Sequence, residues 1–566
     1  MTTNRFSVGV VALCMCAGAA VAANARWNVV AVTGSQAPGL SLGMNFQNGG
    51  IGTPQIDVTG NIFFRSLISG TGVTTTNDGA LFAFPASGTT MLVAREGDVA
   101  PGTGGAQFLA ISNPVFSNGR VAFIATLTGA GVVTSNSQAI FSGTPDAITM
   151  VARKGELVAV TGANIGSINE FALAANGTVA FRVILVGGPV TSSNDTCVML
   201  SIAGITTVAG REGTLLPTIS ATAKIGDLGS GPLVATSQGF AEAVAPLTGA
   251  GSGSTNTLFR YSLTGPEIIA RAKTAAPGLP AGVNFLDIPQ ITTANSSGTS
   301  FFQGLLTGPG IFAGNSVGIW QGSPGNVTLT FRLNSYAADT GLSFQALTSS
   351  PSVNDWGMMV FSASLWGPGS TSTNSAGIFK LIAGQHSMIA RAGNLVPDLD
   401  DGSVYTTDAP GRVLVNNSGL VFVKMRSFSN SVSRDGLFVF RPNGTMSTLM
   451  REGDSFQVGP SDLRTISAIW VASAGNSVGA DGRGAAVGGV DKIVLQLAFA
   501  EGGNAIVEVF GGCGADFNAD GQIDFFDYLD FVDAFAIAAD EADFNGDGVV
   551  DFFDYLDFVD AFSIGC

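Results

Sequence analysis

Charge is the first thing this sequence lacks. Only 12% of its 566 residues are charged, about half the usual share, which excludes a fold built on long solvent-facing helices. Histidine is nearly absent, with His386 alone, so a histidine-based metal site or a repeated histidine relay is excluded. Five cysteines, of which Cys14 and Cys16 fall in an N-terminal apolar run, leave Cys197, Cys513 and Cys566 for the body of the chain. No Cys-x-x-Cys pair, phosphate loop or Ser-x-Asp-x-Gly-x-Thr-Trp box occurs, and no Gly-x-Ser-x-Gly run stands out as a nucleophile elbow, so redox, nucleotide, sialidase and hydrolase chemistry have no clear sequence sign here.

Basic residues are missing from one region in particular. Residues 513–566 hold 14 Asp and Glu and no Lys or Arg, whereas the other 512 residues carry 27 acidic against 25 basic groups, a net of −2. The net charge of −16 is therefore a property of the tail. Neither part has the basic surplus that phosphate contacts need, so nucleic acid is not an expected partner.

What is present begins with a single early charge, Arg5, an apolar run from Val8 to Val21, and small residues at Ala20, Ala22, Ala23 and Ala25. This pattern predicts a secretory signal peptide over 1–25 with an Ala-x-Ala cleavage site. The run falls short of the roughly 20 residues a span needs, so no transmembrane span is expected after cleavage. The expected location is secreted, extracellular or at the cell surface, where disulfides persist. Cys513 and Cys566 bracket the tail and are the natural pair, leaving Cys197 as a buried, inert thiol.

Gly (77) and Phe (39) are abundant, and Ser and Thr fill the positions between apolar residues, a mix suited to short strands and tight turns. A marker recurs along the chain: a strand ending in Ala-Arg or a variant, then Gly, then often Ala-Pro-Gly, as in LVAREGDVAPG from Leu92 and MIARAGNLVPD from Met388. The residue before the Arg position falls at Ala31, Ala94, Ala152, Gly210, Ala270, Phe331, Ala390 and Met450, with spacings of 63, 58, 58, 60, 61, 59 and 60. Within a unit, Asn118-Gly119 sits between apolar runs as a hairpin turn should. Repeats of this length made of consecutive antiparallel strands predict a mainly β fold: a β-propeller over 26–510 of about eight blades, or alternatively seven. The strand near Trp27–Val32 is left over to close the ring. The repeats resemble a tandem-repeat family of exported bacterial proteins marked by Asn-x-x-Gly-x-x-Ala-Pro-Gly, carried most plainly by Asp98–Gly102 and Thr274–Gly278. That resemblance implies surface display and no particular reaction.

Within the repeats no catalytic set stands out. His386 falls where neighbouring repeats place a turn and reads as a solvated turn residue. The Arg-Glu-Gly steps at Arg95, Arg211 and Arg451 read as turn-fixing ion pairs. Asp398, Asp400 and Asp401 form the densest acidic cluster and read as an exposed loop. Paired carboxylates could hydrolyse glycosides, but five Trp and only Tyr261, Tyr336 and Tyr405 among many Phe make a poor set of sugar platforms.

The tail, 511–566, is the most specific stretch. A calcium loop takes oxygen ligands at positions 1, 3, 5, 7, 9 and 12, with Gly at 6. DFNADGQIDFFD supplies Asp516, Asn518, Asp520, the Gln522 carbonyl, Asp524 and Asp527, with Gly521 at the turn. DFNGDGVVDFFD supplies Asp543, Asn545, Asp547, the Val549 carbonyl, Asp551 and Asp554, with Gly548. FFDYLDFVDAF follows both loops and predicts two helices, each with an acidic ridge of Asp527, Asp530 and Asp533 or Asp554, Asp557 and Asp560. Asp at position 12, the Cys-x-Ala-Asp opening at Cys513 and the Gly565-Cys566 ending resemble the GC-type dockerin domain. The resemblance implies a small α-helical domain holding two structural Ca2+ ions, with a pseudo-twofold that brings Cys513 and Cys566 together. It also implies a cohesin-like or other envelope receptor, although Phe525, Phe526, Phe552 and Phe553 stand where cellulosomal dockerins carry small or polar recognition residues. Two functions follow as expectations: a non-catalytic exported repeat protein attached through its tail, or a polysaccharide-active or glycan-binding propeller docked by the same tail.

Overall fold

Each marker ends the outermost strand of a twisted antiparallel sheet. The computed structural model describes residues 27–564 apart from 87, 89, 230, 251–254, 400, 407–411, 460, 473–475, 477, 489–490, 513, 518–522, 540–541, 543 and 545–548. Seven sheets end on Met91–Arg95, Ala147–Arg153, Ile205–Arg211, Gly265–Arg271, Asn326–Arg332, Gln385–Arg391 and Met446–Arg451, in sequence order. The eighth takes its outer strand from the other end of the chain: Trp27–Val32 pairs antiparallel with Asn504–Phe510. The eight sheets form an eight-bladed β-propeller, closed by that seam. The choice between eight and seven blades is thereby settled, and the leftover first marker is the outer strand of blade 8.

The marker has a backbone reason. In all eight copies the second residue after the Arg position has positive φ: Gly34, Gly97, Gly155, Gly213, Lys273, Asn334, Gly393 and Gly453. Its N–H donates to the carbonyl of the next blade's innermost strand, at Phe46, Phe108, Ile165, Ile225, Phe285, Phe344, Tyr405 and Ile466 in turn. Only glycine enters this left-handed region without a steric cost, so glycine recurs there. One step earlier every outer strand carries a bulge, which leaves Val93, Val151, Ala209, Ile269, Thr330, Ile389, Leu449 and Val30 unpaired in register. The extra residue bends the strand at the blade's rim.

The core lies between blades. Eight apolar clusters fill the eight interfaces, each drawing on two adjacent sheets. The second strands are covered on both faces, so Ile62–Ser69 buries Ile62, Phe63, Phe64 and Ile68. On one face of the ring, the turns after the innermost strands also tie each blade to the next. Asn118 Nδ2 donates to the Ala175 carbonyl (3.1 Å), Asn176 Nδ2 to Ser237 (2.9 Å), Gln238 Nε2 to Ser296 (3.2 Å) and Asn354 Nδ2 to Asn416 (2.9 Å). Gly119 N–H to Asp57, Ser296 N–H to Asp355 and Asn416 Nδ2 to Asp491 complete the series from blade 1 to blade 8.

Blade 8 departs from the pattern. Between Asp462–Trp470 and Lys492–Phe499 the chain leaves the sheet, and the described part of that connection, Asn476 and Val478–Gly488, touches the first strands of blades 1, 3, 4, 5 and 6. A segment that reaches five blades of one ring lies on its axis. Beyond blade 8, Gly511 N–H donates to the Asp491 carbonyl (2.8 Å) and the tail begins. Its two helices are α1 (Phe525–Ala536) and α2 (Phe552–Ile564). No helix among the described residues is long and apolar enough to cross a membrane.

Candidate functional site in the C-terminal helix pair

The tail repeats itself at an offset of 27 residues, and its packing follows. Phe531 and Phe558 stack at 3.9 Å with planes 4° apart. Around them the contacts come in mates: Phe517 on Phe531 (5.4 Å, 88°) and Phe544 on Phe558 (5.5 Å, 89°), Phe525 on Tyr528 (6.2 Å) and Phe552 on Tyr555 (6.1 Å). The Tyr528 and Tyr555 hydroxyls meet at 3.1 Å. Residues related by the repeat thus face one another across a local twofold.

Both helices start with the same reciprocal cap. Asp524 accepts from Phe526 N–H and donates its own N–H to Asp527 Oδ2, both at 2.8 Å. Asp551, Phe553 and Asp554 repeat the arrangement at the same distances. Each cap satisfies helix N–H groups that have no partner within the helix and sets two carboxylates against the positive end of the helix dipole. Asp527 and Asp554 are fully buried, and Asp516 nearly so. They therefore do not belong to the exposed ridge expected from the three-residue spacing; the cap turns them inward, and exposed Asp530, Asp533 and Asp557 remain outside.

Of the expected calcium ligands, Asp516, Asp524, Asp527, Val549, Asp551 and Asp554 are described. Asn518, Asp520, Gln522, Asp543, Asn545 and Asp547, like Gly521, Gly548, Cys513, Cys566 and the signal peptide, lie outside the described residues. Among the described residues no three carboxylates close into a cation cage. The residues still suit a hard cation: the donor set is all oxygen, and the tail has no Lys or Arg to neutralise its buried carboxylates. Calcium held by these loops would supply charge neutralisation and a cross-link between loop and helix start.

Phe525, Phe526, Phe552 and Phe553 are 63, 64, 63 and 64% exposed, and Leu529 and Leu556 lie exposed one turn on. The two helices thus show solvent three matched pairs of large apolar side chains in their first two turns. All four phenylalanines are displayed and not buried.

Other candidates in the propeller resolve as structure. Arg95 and Glu96 do not form the ion pair expected of the marker, because they turn to different partners. Arg95 Nε donates to the Asn77 carbonyl (2.8 Å), as Arg153, Arg211, Arg332 and Arg391 do to Asn136, Asn194, Asn315 and Asn374. Glu96 accepts from Gly79 N–H (2.9 Å), and Arg451 pairs instead with Asp401 (3.2 Å). His386 is not a solvated turn residue: it is half-buried in the strand Gln385–Arg391, edge-on to Phe344, with Nε2 2.8 Å from the Tyr336 carbonyl and 3.1 Å from the Ala338 amide. Asp398 accepts from the Thr448 hydroxyl (2.7 Å), so it is a tie between a turn and an outer strand rather than a free loop charge, and Asp400 lies outside the described residues. Cys197 is buried between blades 2 and 3, and burial pushes its thiol up to about 12, which makes it inert as expected.

Three charge pairs, each with one buried partner, were missed by sequence reading. Glu242, fully buried, accepts from Arg260 (2.7 Å) and from Ser300 of blade 5 (2.7 and 2.8 Å); burial raises its carboxyl against the pull of Arg260. Arg182 meets Glu170 at 2.6 Å, and Arg483 meets Asp481 at 2.6 Å. A signal existed for the first: Glu242 occupies a register that holds Phe63, Ala122, Ala180, Phe301, Val360 and Phe422 in six sister strands. With no solvent access, Glu242 is a strut between blades 4 and 5. The cavity between blades 6 and 7, lined by Arg391, Tyr405, Thr406 and Met425 among others, measures about 20 Å³, room for one water.

A closed ring of eight sheets followed by a twofold helix pair defines the class: an eight-bladed propeller protein with a C-terminal helical appendage. The chain belongs to a family of unknown function, DUF7453, whose model matches residues 15–257 and again 117–533. No curated protein matches it. Among solved structures it is similar to the β-propeller domain of the trilobed protease from Pyrococcus furiosus, at 8% identity and a TM-score of 0.33, over 71% of this chain and 97% of that one. It is also similar to Pyrococcus horikoshii acylaminoacyl peptidase (10%, 0.31, over 70% and 49%) and Trypanosoma rangeli sialidase (13%, 0.24, over 62% and 55%). The chain spans about half the length of that peptidase and that sialidase. At these scores the likenesses carry no argument about activity.

Proposed function

We propose that this protein is an exported, non-catalytic propeller, held to a protein receptor at the cell envelope by a calcium-stabilised, dockerin-like tail. The observation that carries this reading is the tail's displayed apolar patch. Phe525, Phe526, Phe552 and Phe553 sit at two capped helix starts, related by a twofold, on a module with no basic residue. Exposed aromatic side chains on a rigid support are what interface cores are made of, and contiguous apolar surface on a soluble module marks a contact site. Acidic Asp530, Asp533 and Asp557 beside the patch suit a receptor with an apolar shelf and a basic rim. Calcium acts by folding: with the loops loaded, the helix starts and their phenylalanines are held in place.

The test is binding of the full-length protein to isolated cell envelopes, with calcium and with chelator. Calcium-dependent binding that is lost in Phe526→Ser/Phe553→Ser supports the reading. Equal binding in chelator, or binding indifferent to both substitutions, sinks it.

A further inference from the structure

The connection through the centre of the ring is bound there as a peptide ligand is bound. The innermost strand of a propeller blade has a free edge toward the axis, and its N–H and C=O groups need partners. Here the segment supplies them with main-chain atoms. The Ala485 carbonyl accepts from Ile56 N–H of blade 1 (3.0 Å), the Gly482 carbonyl from Leu173 of blade 3 (2.8 Å), and the Asp481 carbonyl from Ala235 of blade 4 (2.9 Å). Asn476 forms a parallel bridge with Val353 of blade 6, and its Nδ2 donates to the Ala294 carbonyl of blade 5 (3.3 Å). No strand is added to any one blade: the segment turns on itself, with Gly479 N–H donating to the Asn476 carbonyl (3.1 Å) and Gly482 N–H to the Gly479 carbonyl (3.0 Å), and offers one main-chain carbonyl in turn to each of three blades.

The fit is narrow. Gly482 has φ of +76°, and a Cβ there would stand 3.1 Å from the Ala235 oxygen and from the backbone of Leu173. A Cβ at Gly484 would collide with the Gln55 amide. One charged pair is admitted because the site completes it. Asp481 is fully buried and accepts from the Thr293 hydroxyl (2.9 Å) and from Arg483 Nε (2.8 Å), and Arg483 also reaches the Thr292 carbonyl. Val478, Ala486 and Val487 join the apolar cluster of blades 7 and 8. The segment diverges from the sixty-residue pattern, so the repeat does not explain its presence.

We propose that the axis of this propeller is a binding site for a glycine- and alanine-rich peptide folded as consecutive turns, that the chain's own Asn476 and Val478–Gly488, turned at Gly479 and Gly482, are its resident ligand, and that this ligand locks the ring. The lock is separate from the seam between Trp27–Val32 and Asn504–Phe510, since it ties blade 8 to blades on the far side of the ring. Its contacts at Ile56, Leu173 and Ala235 lie beside the inter-blade turns that start at Asp57, Ala174 and Thr236.

The test is hydrogen exchange on full-length protein, read on fragments containing Ile56, Leu173 and Ala235. In Gly482→Val all three sites, on three different blades, are expected to lose protection together, while Phe123 in the middle of blade 2 keeps its own. A second variant replaces 478–488 by Gly and Ser at equal length and receives the synthetic peptide 476–488 in trans. The peptide is expected to restore protection, or to restore folding if the replaced chain does not fold alone, in a saturable way. Unchanged protection at the three sites in folded Gly482→Val overturns the lock. Failure of the peptide to restore either property overturns the binding site.

Discussion

The propeller and the tail use phenylalanine in opposite ways. In the blades Phe63, Phe64, Phe82, Phe123 and Phe141 are buried between sheets, and the surface left over is nearly neutral and rich in Ser, Thr and Gly. In the tail Phe531 and Phe558 make the core, while Phe525, Phe526, Phe552 and Phe553 face solvent beside unrelieved negative charge. Of the aromatic side chains the ring does expose, Phe312, Trp356 and Phe428 fall on different blades and are not repeated at one register. A repeat that displays four aromatic side chains at the same two helix positions is built around a contact still to be made. Under the proposed function, this difference is what gives the attaching role to the tail and the displayed or scaffolding role to the ring.

The largest expected effects separate those two cores. Phe531→Ala removes one ring of the central stack and should cost about 3–5 kcal/mol, more than a small helix pair can lose. The tail should unfold, seen as loss of near-ultraviolet aromatic signal and of calcium-dependent protection from proteolysis, while the propeller melts as before. A drop in the propeller transition by the same amount would show that the two parts fold as one. Phe526→Ser should instead leave the tail folded and abolish binding, which distinguishes core from display within one helix. Inside the ring, Arg260→Met strands the buried Glu242 carboxylate and should cost about 3–5 kcal/mol. Burial already pushes that carboxyl upward, so the variant should recover part of its stability as pH is lowered and Glu242 takes up a proton. Equal losses at pH 5 and pH 8 would refute the strut.

What the sequence made legible was whatever the backbone imposes on every copy. The positive φ after the marker Arg demands glycine, so eight markers at even spacing could be counted and the strand at Ala31 recognised as a ring closer. The tail's two helices were legible because FFDYLDFVDAF recurs after 27 residues. Partners chosen once, or made by backbone atoms, left no comparable trace. The marker arginines were read as paired to the next Glu, yet their acceptors are carbonyls of Asn77, Asn136 and their sisters, which any residue would offer. Asp527 was placed on an outer ridge by its spacing, and the helix cap turned it inward. Segment 476–488 passed unnoticed because its binding uses small residues and main-chain hydrogen bonds, whose only sequence mark is departure from the repeat.

Smaller effects test the backbone rule itself. Gly97 has φ of +87° with a Cβ position 3.2 Å from Asn77, so Gly97→Ala should cost about 1–2 kcal/mol. Lys273 holds the same conformation at +66°; Lys273→Gly should gain under about 1 kcal/mol, since glycine also loosens the unfolded chain. Thermal unfolding that moves in opposite directions for the two variants supports the rule, and movement in the same direction breaks it.

The smallest effect belongs to Asp401. Hydrogen bonding from Ser403, opposed by slight burial and helped by Arg451, holds its carboxyl at about 2, below its ordinary 3.8. A carboxyl held lower in the folded state binds fewer protons there than in the unfolded state, so it adds stability above its unfolded value and loses it as pH falls toward about 2. Asp401 is largely exposed to solvent screening, so the gain is a fraction of what a buried pair would give. Asp401→Asn should therefore leave melting unchanged from acid titration of this site, flattening the slope between about pH 4 and about pH 2 relative to the native chain. A native slope that persists unchanged in the variant would assign the acid sensitivity to another carboxylate.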